Sequence, residues 1–395
     1  MSDGARFEPW IRLHSWMRGV RAWHKDVAEA SDGVRSGEMV AAYDGEGRFI
    51  GWGFVHKRAE LAFRLVTRSE TKPDEAWWRE RALAAVDRRK QEPGLPLDPV
   101  RVFHAEGDDF PGLVVDRIGS VLLAEAYAAP MAAIFELIAP TLHEALGTEH
   151  QVIELDAAAA RAEGVDPYTR RSTGCPTRMD FLEHGVKWEI FPGEGHKTGF
   201  FLDQRENRLR LREYVALDAA AGRAPEVLDL CCYTGGFALN AAAAGAARVT
   251  AVDLDEKAIE QAQRHANRNG FRDIRFTHAD AYTWMRQSAA SGLTYDFVVV
   301  DPPKFIPKRL AEEEGRAKYH DLNKLAIPLV KPGGLLLTCS CSGLLTPTEF
   351  QELVRRAAKG RTLRILRETG AGPDHPVRAD FPEGRYLKAI WARVD

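Results

Sequence analysis

The spacing of apolar and polar positions changes twice along the chain. Up to about residue 70 the apolar runs are short, at residues 38–43, 48–55 and 61–67. The first two flank Asp44-Gly45-Glu46-Gly47, and an Asp-Gly pair between strand-like runs predicts a hairpin. A small β-rich module is expected there. Residues 74–89 are helical by composition and stop short of Pro93-Gly94, which predicts a connecting helix. Strand-like runs at 99–104, 113–118 and 121–127, a helix at 131–146 and a strand at 151–155 follow. That β-β-α-β order suggests an α+β middle domain. From about residue 189 strands at 227–230, 249–253, 274–278, 297–301 and 335–341 are interleaved with helices at 237–247 and 256–269. Alternation of this kind predicts a doubly wound, mainly parallel sheet of the Rossmann-like α/β class. Three parts are therefore expected, at 1–70, 71–188 and 189–395.

Composition narrows the picture. In 395 residues, 54 Lys and Arg face 57 Asp and Glu, a formal net charge of −3. A uniformly basic nucleic-acid binder is excluded, while local basic surfaces are not. One is expected on the first module, where Arg48, Lys57, Arg58, Arg64, Arg68 and Lys72 are opposed only by Glu60 and Glu70. The five cysteines form no disulfide framework, which points to a reducing cytoplasm. No apolar signal-like region is expected at the start. The long apolar stretch after residue 121 is broken by Glu125, Pro130 and Glu136, so no membrane span is expected.

The densest chemistry lies in the third part. A short strand ends in Asp229, and a turn with Gly235 and Gly236 leads into a helix. Glycine lets backbone pass close to a ligand at a strand's carboxyl end. The dinucleotide G-x-G-x-x-G fingerprint is absent, which disfavours a dehydrogenase. The next strand ends in Asp253, suited to two ribose hydroxyls, and Asp280 follows the third strand near where an adenine amino group would sit. Three acids at successive strand ends suit a nucleoside with little or no phosphate. The fourth strand ends in Asp301-Pro302-Pro303-Lys304-Phe305, where two prolines stiffen a loop that can present an acceptor to a planar base. Paired cysteines lack metal-site spacing, and no metal is expected.

These segments resemble a class I S-adenosylmethionine-dependent methyltransferase. More narrowly, they resemble the family that makes 5-methylcytosine in large-subunit ribosomal RNA. The resemblance rests on His196-Lys197-Thr198-Gly199-Phe200-Phe201-Leu202-Asp203-Gln204-Arg205, Cys232-Tyr233-Thr234-Gly235-Gly236-Phe237, Asp301-Pro302-Pro303-Lys304-Phe305, Ser340-Cys341-Ser342-Gly343-Leu344, and Asp374-His375-Pro376 with Pro382-Glu383-Gly384. It extends to His104-Ala105-Glu106-Gly107-Asp108 and Pro111-Gly112-Leu113-Val114-Val115-Asp116-Arg117. Residues 37–67, with Gly47, Gly51 and Gly53, resemble the PUA RNA-binding module. The sequence departs from the pattern at 156–173, which is alanine-rich, and at His56.

The resemblance implies S-adenosylmethionine as cofactor, held by Asp229, Tyr233, Gly235, Phe237, Asp253 and Asp280, with Phe200 and Gln204 lying over it. It implies Asp301 and a cysteine as catalytic residues, and Pro302, Pro303, Lys304 and Arg205 against the RNA. Carbon five of cytosine is a poor nucleophile until a thiolate adds to carbon six. The family pattern places that thiol at Cys341. Thr338-Cys339-Ser340 fits a wider group of RNA cytosine methyltransferases, so Cys339 stays open. Arginines at 205, 208, 210 and 212, and a second cluster at Lys304, Lys308, Arg309, Arg316 and Lys318, are candidates for phosphate contact. The expected partner is large-subunit ribosomal RNA, and the chain is expected to be a monomer or homodimer. The rival readings are a guanine or exocyclic-nitrogen target without a covalent step, and a cofactor-sensing RNA-binding module.

Overall fold

The computed structural model describes residues 6–17, 19–192 and 199–395. Internal packing divides the chain into two units. One holds Met1–Phe181, Ile190–Gly199 and Pro373–Gly384; the other holds Leu182–Glu189, Phe200–Gly372 and Arg385–Asp395.

In the first unit, β1 (Trp10–Leu13), β2 (Arg21–Trp23), β3 (Val27–Ala30), β4 (Met39–Tyr43), β5 (Phe49–Val55) and β6 (Leu61–Thr67) form one sheet in the order β2-β6-β5-β4-β1-β3. The hairpin expected at Asp44 joins β4 and β5. The Asp44 carboxylate organises it by accepting from the backbone N–H of Glu46 at 3.0 Å and of Arg48 at 2.9 Å. Strands β1 to β3 are three or four residues long, too short for alternation to reveal.

Next come α1 (Glu75–Gln91), β7 (Val100–His104), β8 (Leu113–Ile118), β9 (Val121–Ala126), α2 (Ala129–Leu146), β10 (His150–Leu155), α3 (Ala157–Glu163) and β11 (Tyr168–Arg171). Asp74 caps α1 by accepting from the Trp77 N–H at 2.8 Å. The strands form a sheet in the order β11-β10-β9-β8-β7, with β9 and β10 parallel and α2 between them in sequence. Trp78, Ala82, Val86, Phe135, Ile138 and Leu142 from the two long helices bury its face, and Phe54 and Val66 of the first sheet join the same cluster.

A buried ion cluster ties this unit together. Asp108 is fully buried and takes both arms of the Arg89 guanidinium, at 2.5 and 2.6 Å. Arg89 also donates to the carbonyls of Arg101 and Asp374, so its donors are spent inside the protein. The expected basic surface loses one member to the interior and has two others engaged in local bonds. Arg64 turns inward to the Tyr127 carbonyl and Glu106, Arg48 is spent on Asp44, and Arg68 donates to the carbonyls of Met17 and Gly19. Arg48, Lys57, Arg58, Arg68 and Lys72 are all exposed.

A two-stranded ribbon of β12 (Met179–Glu183) and β13 (Val186–Ile190) turns through His184 and Gly185, both at positive φ. The second unit is built on a seven-stranded sheet. In chain order it contains α4 (Arg205–Ala220), β14 (Glu226–Leu230), α5 (Gly236–Ala243), β15 (Arg248–Asp253), α6 (Glu256–Asn269), β16 (Ile274–His278), α7 (Ala281–Ala290), β17 (Tyr295–Val300), α8 (Glu312–Ala326), β18 (Val330–Ser340), α9 (Pro347–Ala357), β19 (Leu363–Thr369) and β20 (Lys388–Val394). The strand order is β16-β15-β14-β17-β18-β20-β19. The first five are parallel, as expected, and β20 runs antiparallel to β18 and β19. The order reverses at β14, between β15 and β17, which opens a crevice at the strands' carboxyl ends. No described helix is long and apolar enough to cross a membrane.

Truncating Asp108 leaves the Arg89 charge buried without compensation. Asp108→Ala is expected to cost about 3–5 kcal/mol, while Arg88→Ala, whose partly exposed side chain only adds a third contact to Asp108, costs under about 1 kcal/mol. Urea unfolding of both variants tests this, and equal losses would deny the cluster its structural role.

Candidate active site

Strand alternation decides which side chains meet. Val227, Val249, Phe297, Leu335, Leu337 and Cys339 pack into the cluster beneath α4 and α5, while Leu228, Leu230, Val252, Val298, Val300 and Leu336 pack into the cluster on the other side. With a period of two, Asp229, Asp253 and Asp301 fall on the same side as Cys339 and Cys341.

Asp229 is fully buried. Its Oδ2 accepts from the Ala238 N–H at 2.9 Å near the start of α5, while Oδ1 is buried with no hydrogen-bond partner. Burial, then the charges of Asp301 and Asp253, push its pKa well up. The turn after β14 carries positive φ at Cys231, Tyr233 and Gly235. Gly235 is required there, because a Cβ would lie 2.5 Å from Leu239 Cδ1 on top of the backbone strain. Asp253 receives the turn: its Oδ2 accepts from the Tyr233 N–H at 2.8 Å and its Oδ1 from the Asp255 N–H at 2.9 Å. Each oxygen keeps a lone pair for a hydroxyl. Asp280 is exposed and caps α7, with Oδ1 accepting from the N–H and hydroxyl of Thr283.

Asp301 ends β17. Its Oδ2 accepts from Gln204 Nε2 at 3.0 Å, and Gln204 in turn accepts from Asn207 Nδ2 at 2.6 Å. Burial of the carboxyl, then the charge of Asp203, push its pKa up to about 7, against the opposing bond from Gln204. Pro302 is buried, whereas Pro303 and Lys304 are exposed.

The two candidate cysteines have different surroundings. Cys339 is fully buried, and burial followed by the Asp301 charge pushes its thiol well up. Cys341, just past the end of β18, is half-buried at the rim of the same cluster. Lys388 of β20 is buried and donates to the carbonyls of Ser342 and Tyr386, at 2.5 and 2.7 Å. Burial pushes its pKa down to about 8, with the Cys341 charge acting the other way.

Several expected site residues sit deeper than the sequence implied. Phe237 is buried under the turn. Phe200 is buried against Trp188, with the Arg208 guanidinium 4.4 Å from its ring centre. Arg205 is buried beside Glu183, which also takes a two-armed bond from Arg208 at 2.6 Å on each arm. Arg316 bridges Glu312 and Glu349, and Lys318 pairs with Glu314. His196, Lys197 and Thr198, together with Gly193 and Gly195, lie outside the described residues. Sequence reasoning gave no role to Asp203, Asn207, Tyr386 or Lys388. Asp203 stood inside a quoted motif, but the other three carried no local signal. Among the described residues no group of three or more His, Cys, Asp or Glu is placed to hold a metal.

The model of the family described as S-adenosylmethionine-dependent methyltransferase matches residues 101–389, and a PUA-like domain model matches 23–68. The chain is 32% identical over 392 residues to a ribosomal RNA large subunit methyltransferase I of Klebsiella pneumoniae, covering 97% of this chain and 95% of that one. It is 34% identical over 403 residues to a ribosomal RNA large subunit methyltransferase of Deinococcus radiodurans, covering 97% and 94%. Among solved structures it resembles a methyltransferase complexed with SAH, with a TM-score of 0.82, 21% identity and coverage of 98% and 100%. A methyltransferase from Streptococcus mutans gives 0.81, with the same identity and coverage.

The raised Asp301 has a consequence for stability. The folded state keeps this proton to a higher pH than the unfolded chain does. Its contribution therefore favours the fold at acid pH and is lost as pH rises from the ordinary carboxylate range, near 4, through about 7. Asp301→Asn removes that slope. Melting temperatures at pH 5 and pH 8 are expected to differ less in the variant than in the wild type; an unchanged difference would contradict the raised carboxyl.

Proposed function

The chain belongs to the S-adenosylmethionine-dependent methyltransferase family, and from that premise we propose that it methylates carbon five of a cytosine in large-subunit ribosomal RNA through a covalent cysteine intermediate. The observation that carries the reading is the pair of cysteines at the end of β18. Cys339 is sealed in the core, while Cys341 is accessible at the strand end, on the same side as the three strand-end acids. The large-subunit ribosomal RNA named in two relatives supports the substrate class.

The cofactor supplies an electrophilic methyl group on a sulfonium. The residues present fit it. The unpartnered Asp229 Oδ1 calls for a donor such as an ammonium or a bridging water, and the free lone pairs of Asp253 suit ribose hydroxyls. Asp280 keeps Oδ2 free of its capping bonds for an adenine amino group. Asp301, protonated over part of its population near neutral pH, can donate to ring nitrogen three as the Cys341 thiolate adds to carbon six. That addition makes carbon five nucleophilic. Lys388 places a cation near the thiol, which favours thiolate. Pro302 and Pro303 hold the following loop stiff, and exposed Lys304 is available to a phosphate. Arg205, buried on Glu183, acts by holding the segment that carries Gln204. Residues 1–70 serve as the RNA-binding module, 71–188 as the middle domain and 189–395 as the transferase domain of an enzyme acting in the cytoplasm.

Two experiments test this reading. Cys341→Ala is expected to abolish methyl transfer while keeping cofactor binding, Cys339→Ala to keep most activity, and wild type to be trapped covalently by RNA bearing 5-fluorocytosine. Activity lost only in Cys339→Ala would exchange the two assignments, and full activity in the double variant would favour a nitrogen target. Asp253→Ala should weaken S-adenosylmethionine binding by roughly 1–3 kcal/mol, through lost hydroxyl contacts and a loosened Tyr233 turn. Unchanged affinity by titration calorimetry would remove Asp253 from the cofactor seat.

A further inference from the structure

The carbon-five reaction needs a second proton transfer that none of the residues assigned above performs. After the methyl group arrives, carbon five holds both a methyl and a hydrogen. The adduct cannot release the cysteine until a base takes that hydrogen as a proton.

We propose that Asp203 is this base, a role that rests on the carbon-five reading above. Asp203 lies in the turn before α4, beside Gln204, whose amide holds the Asp301 carboxylate at 3.0 Å. Its carbonyl accepts from the Gly372 N–H, and its Oδ2 accepts the Tyr386 hydroxyl at 2.6 Å. Its Oδ1 is buried without a hydrogen-bond partner in a residue only 9% exposed. A buried carboxylate oxygen left open in this way is costly, and it is the arrangement a proton acceptor needs before its substrate arrives. Its charge reaches Asp301, the carboxyl proposed above as the proton donor to the base.

Two neighbouring carboxyls in unlike surroundings divide acid from base work. Asp301 is the member driven toward its protonated form, and its interaction with the neighbouring Asp203 is part of the cause. Lys388 is a poor alternative base, because its Nζ donates to two carbonyls and so serves as a donor. Asp229 Oδ2 and both oxygens of Asp253 are tied to backbone N–H groups around the turn after β14.

The steps balance. The Cys341 thiolate bonds to carbon six while the Asp301 proton passes to nitrogen three. Carbon five then bonds to the methyl, and the methyl–sulfur bond of the cofactor breaks. Asp203 removes the carbon-five proton, the electron pair forms the carbon five–carbon six double bond, and the carbon six–sulfur bond breaks to restore the thiolate. The nitrogen-three proton returns to Asp301, and Asp203 passes its proton to water.

The test uses the full chain with unfluorinated RNA and S-adenosylmethionine labelled in its methyl group. Asp203→Asn is expected to methylate and then stall, so that labelled RNA stays bound to protein on a denaturing gel and its release slows by about a hundredfold or more. Asp203→Glu, which keeps a carboxylate, is expected to release more than Asp203→Asn does. Release at the wild-type rate in Asp203→Asn overturns the assignment. So does loss of adduct in a variant that still binds cofactor and gives a native melting curve. If Asp203→Asn does not fold, Tyr386→Phe reads the same step, with slowed release supporting the role and unchanged release overturning it. Failure of the wild type to be trapped by 5-fluorocytosine RNA would instead overturn the carbon-five reading, and this role with it.

Discussion

Too many carboxylates occupy one buried strand edge, and much of the second unit is arranged to tolerate them. Asp229 feels the charges of Asp253 and Asp301, and Asp301 that of Asp203, while Asp229 and Asp203 are fully or largely withdrawn from water. Like charges in a low-dielectric site cannot all ionise cheaply. The fold answers with fixed donors rather than counter-ions: the Ala238 N–H for Asp229, the Tyr233 N–H for Asp253, the Gln204 amide for Asp301 and the Tyr386 hydroxyl for Asp203. Neutral donors reduce the repulsion without quenching it. What remains raises the Asp301 pKa to about 7, so part of its population holds a proton at neutral pH.

This constraint explains why some of the site could be read from the sequence and some could not. Asp229, Asp253, Asp280 and Asp301 were visible because each ends or follows a short apolar strand, and strand ends are legible from hydrophobic runs. Gly235 was visible because a glycine between a strand and a helix has a backbone reason to be there. The donors that make the carboxylates tolerable were not visible. Tyr386 lies 183 residues from Asp203 in sequence, and Gln204 lies 97 from Asp301. Their pairing follows from the antiparallel entry of β20 beside β18 and from the turn before α4. The sequence pattern predicted neither.

Charge runs misled for a related reason. A sequence shows that arginines cluster but not whether they face water. Arg205 and Arg208 lie one helical turn apart on α4, and that spacing lets both serve the single buried carboxylate of Glu183. Arg64, counted toward a basic surface, fills an interior position beside Glu106. Exposed positive charge in residues 48–72 and 304–309 is scattered over Arg48, Lys57, Arg58, Arg68, Lys72, Lys304, Lys308 and Arg309. Under the proposed RNA reading, phosphate contact would fall to such exposed groups, because an arginine already held by a buried carboxylate cannot be redirected without leaving that carboxylate unpaired.

The cysteines show how a two-residue shift along a strand separates structure from chemistry. Cys339 and Cys341 share a face because alternation returns every second side chain to it. Cys339 still lies within β18, flanked by Asp301 and Gln204, where burial and a neighbouring negative charge both oppose ionisation. Cys341 lies past the strand, where the chain turns and the sheet stops covering it. There Lys388 donates to the Ser342 carbonyl next in the chain, and its charge interacts with that of Cys341. Under the proposed carbon-five reaction a thiol must ionise to attack carbon six, which favours the residue past the strand end over the one inside it. Asp203 extends the same logic to the other half of the reaction. The proposed base needs an open oxygen, which Asp203 keeps beside the one bound to a phenol. Asp229 also leaves one oxygen open, but burial pushes its pKa well up, and both Asp253 oxygens hold backbone.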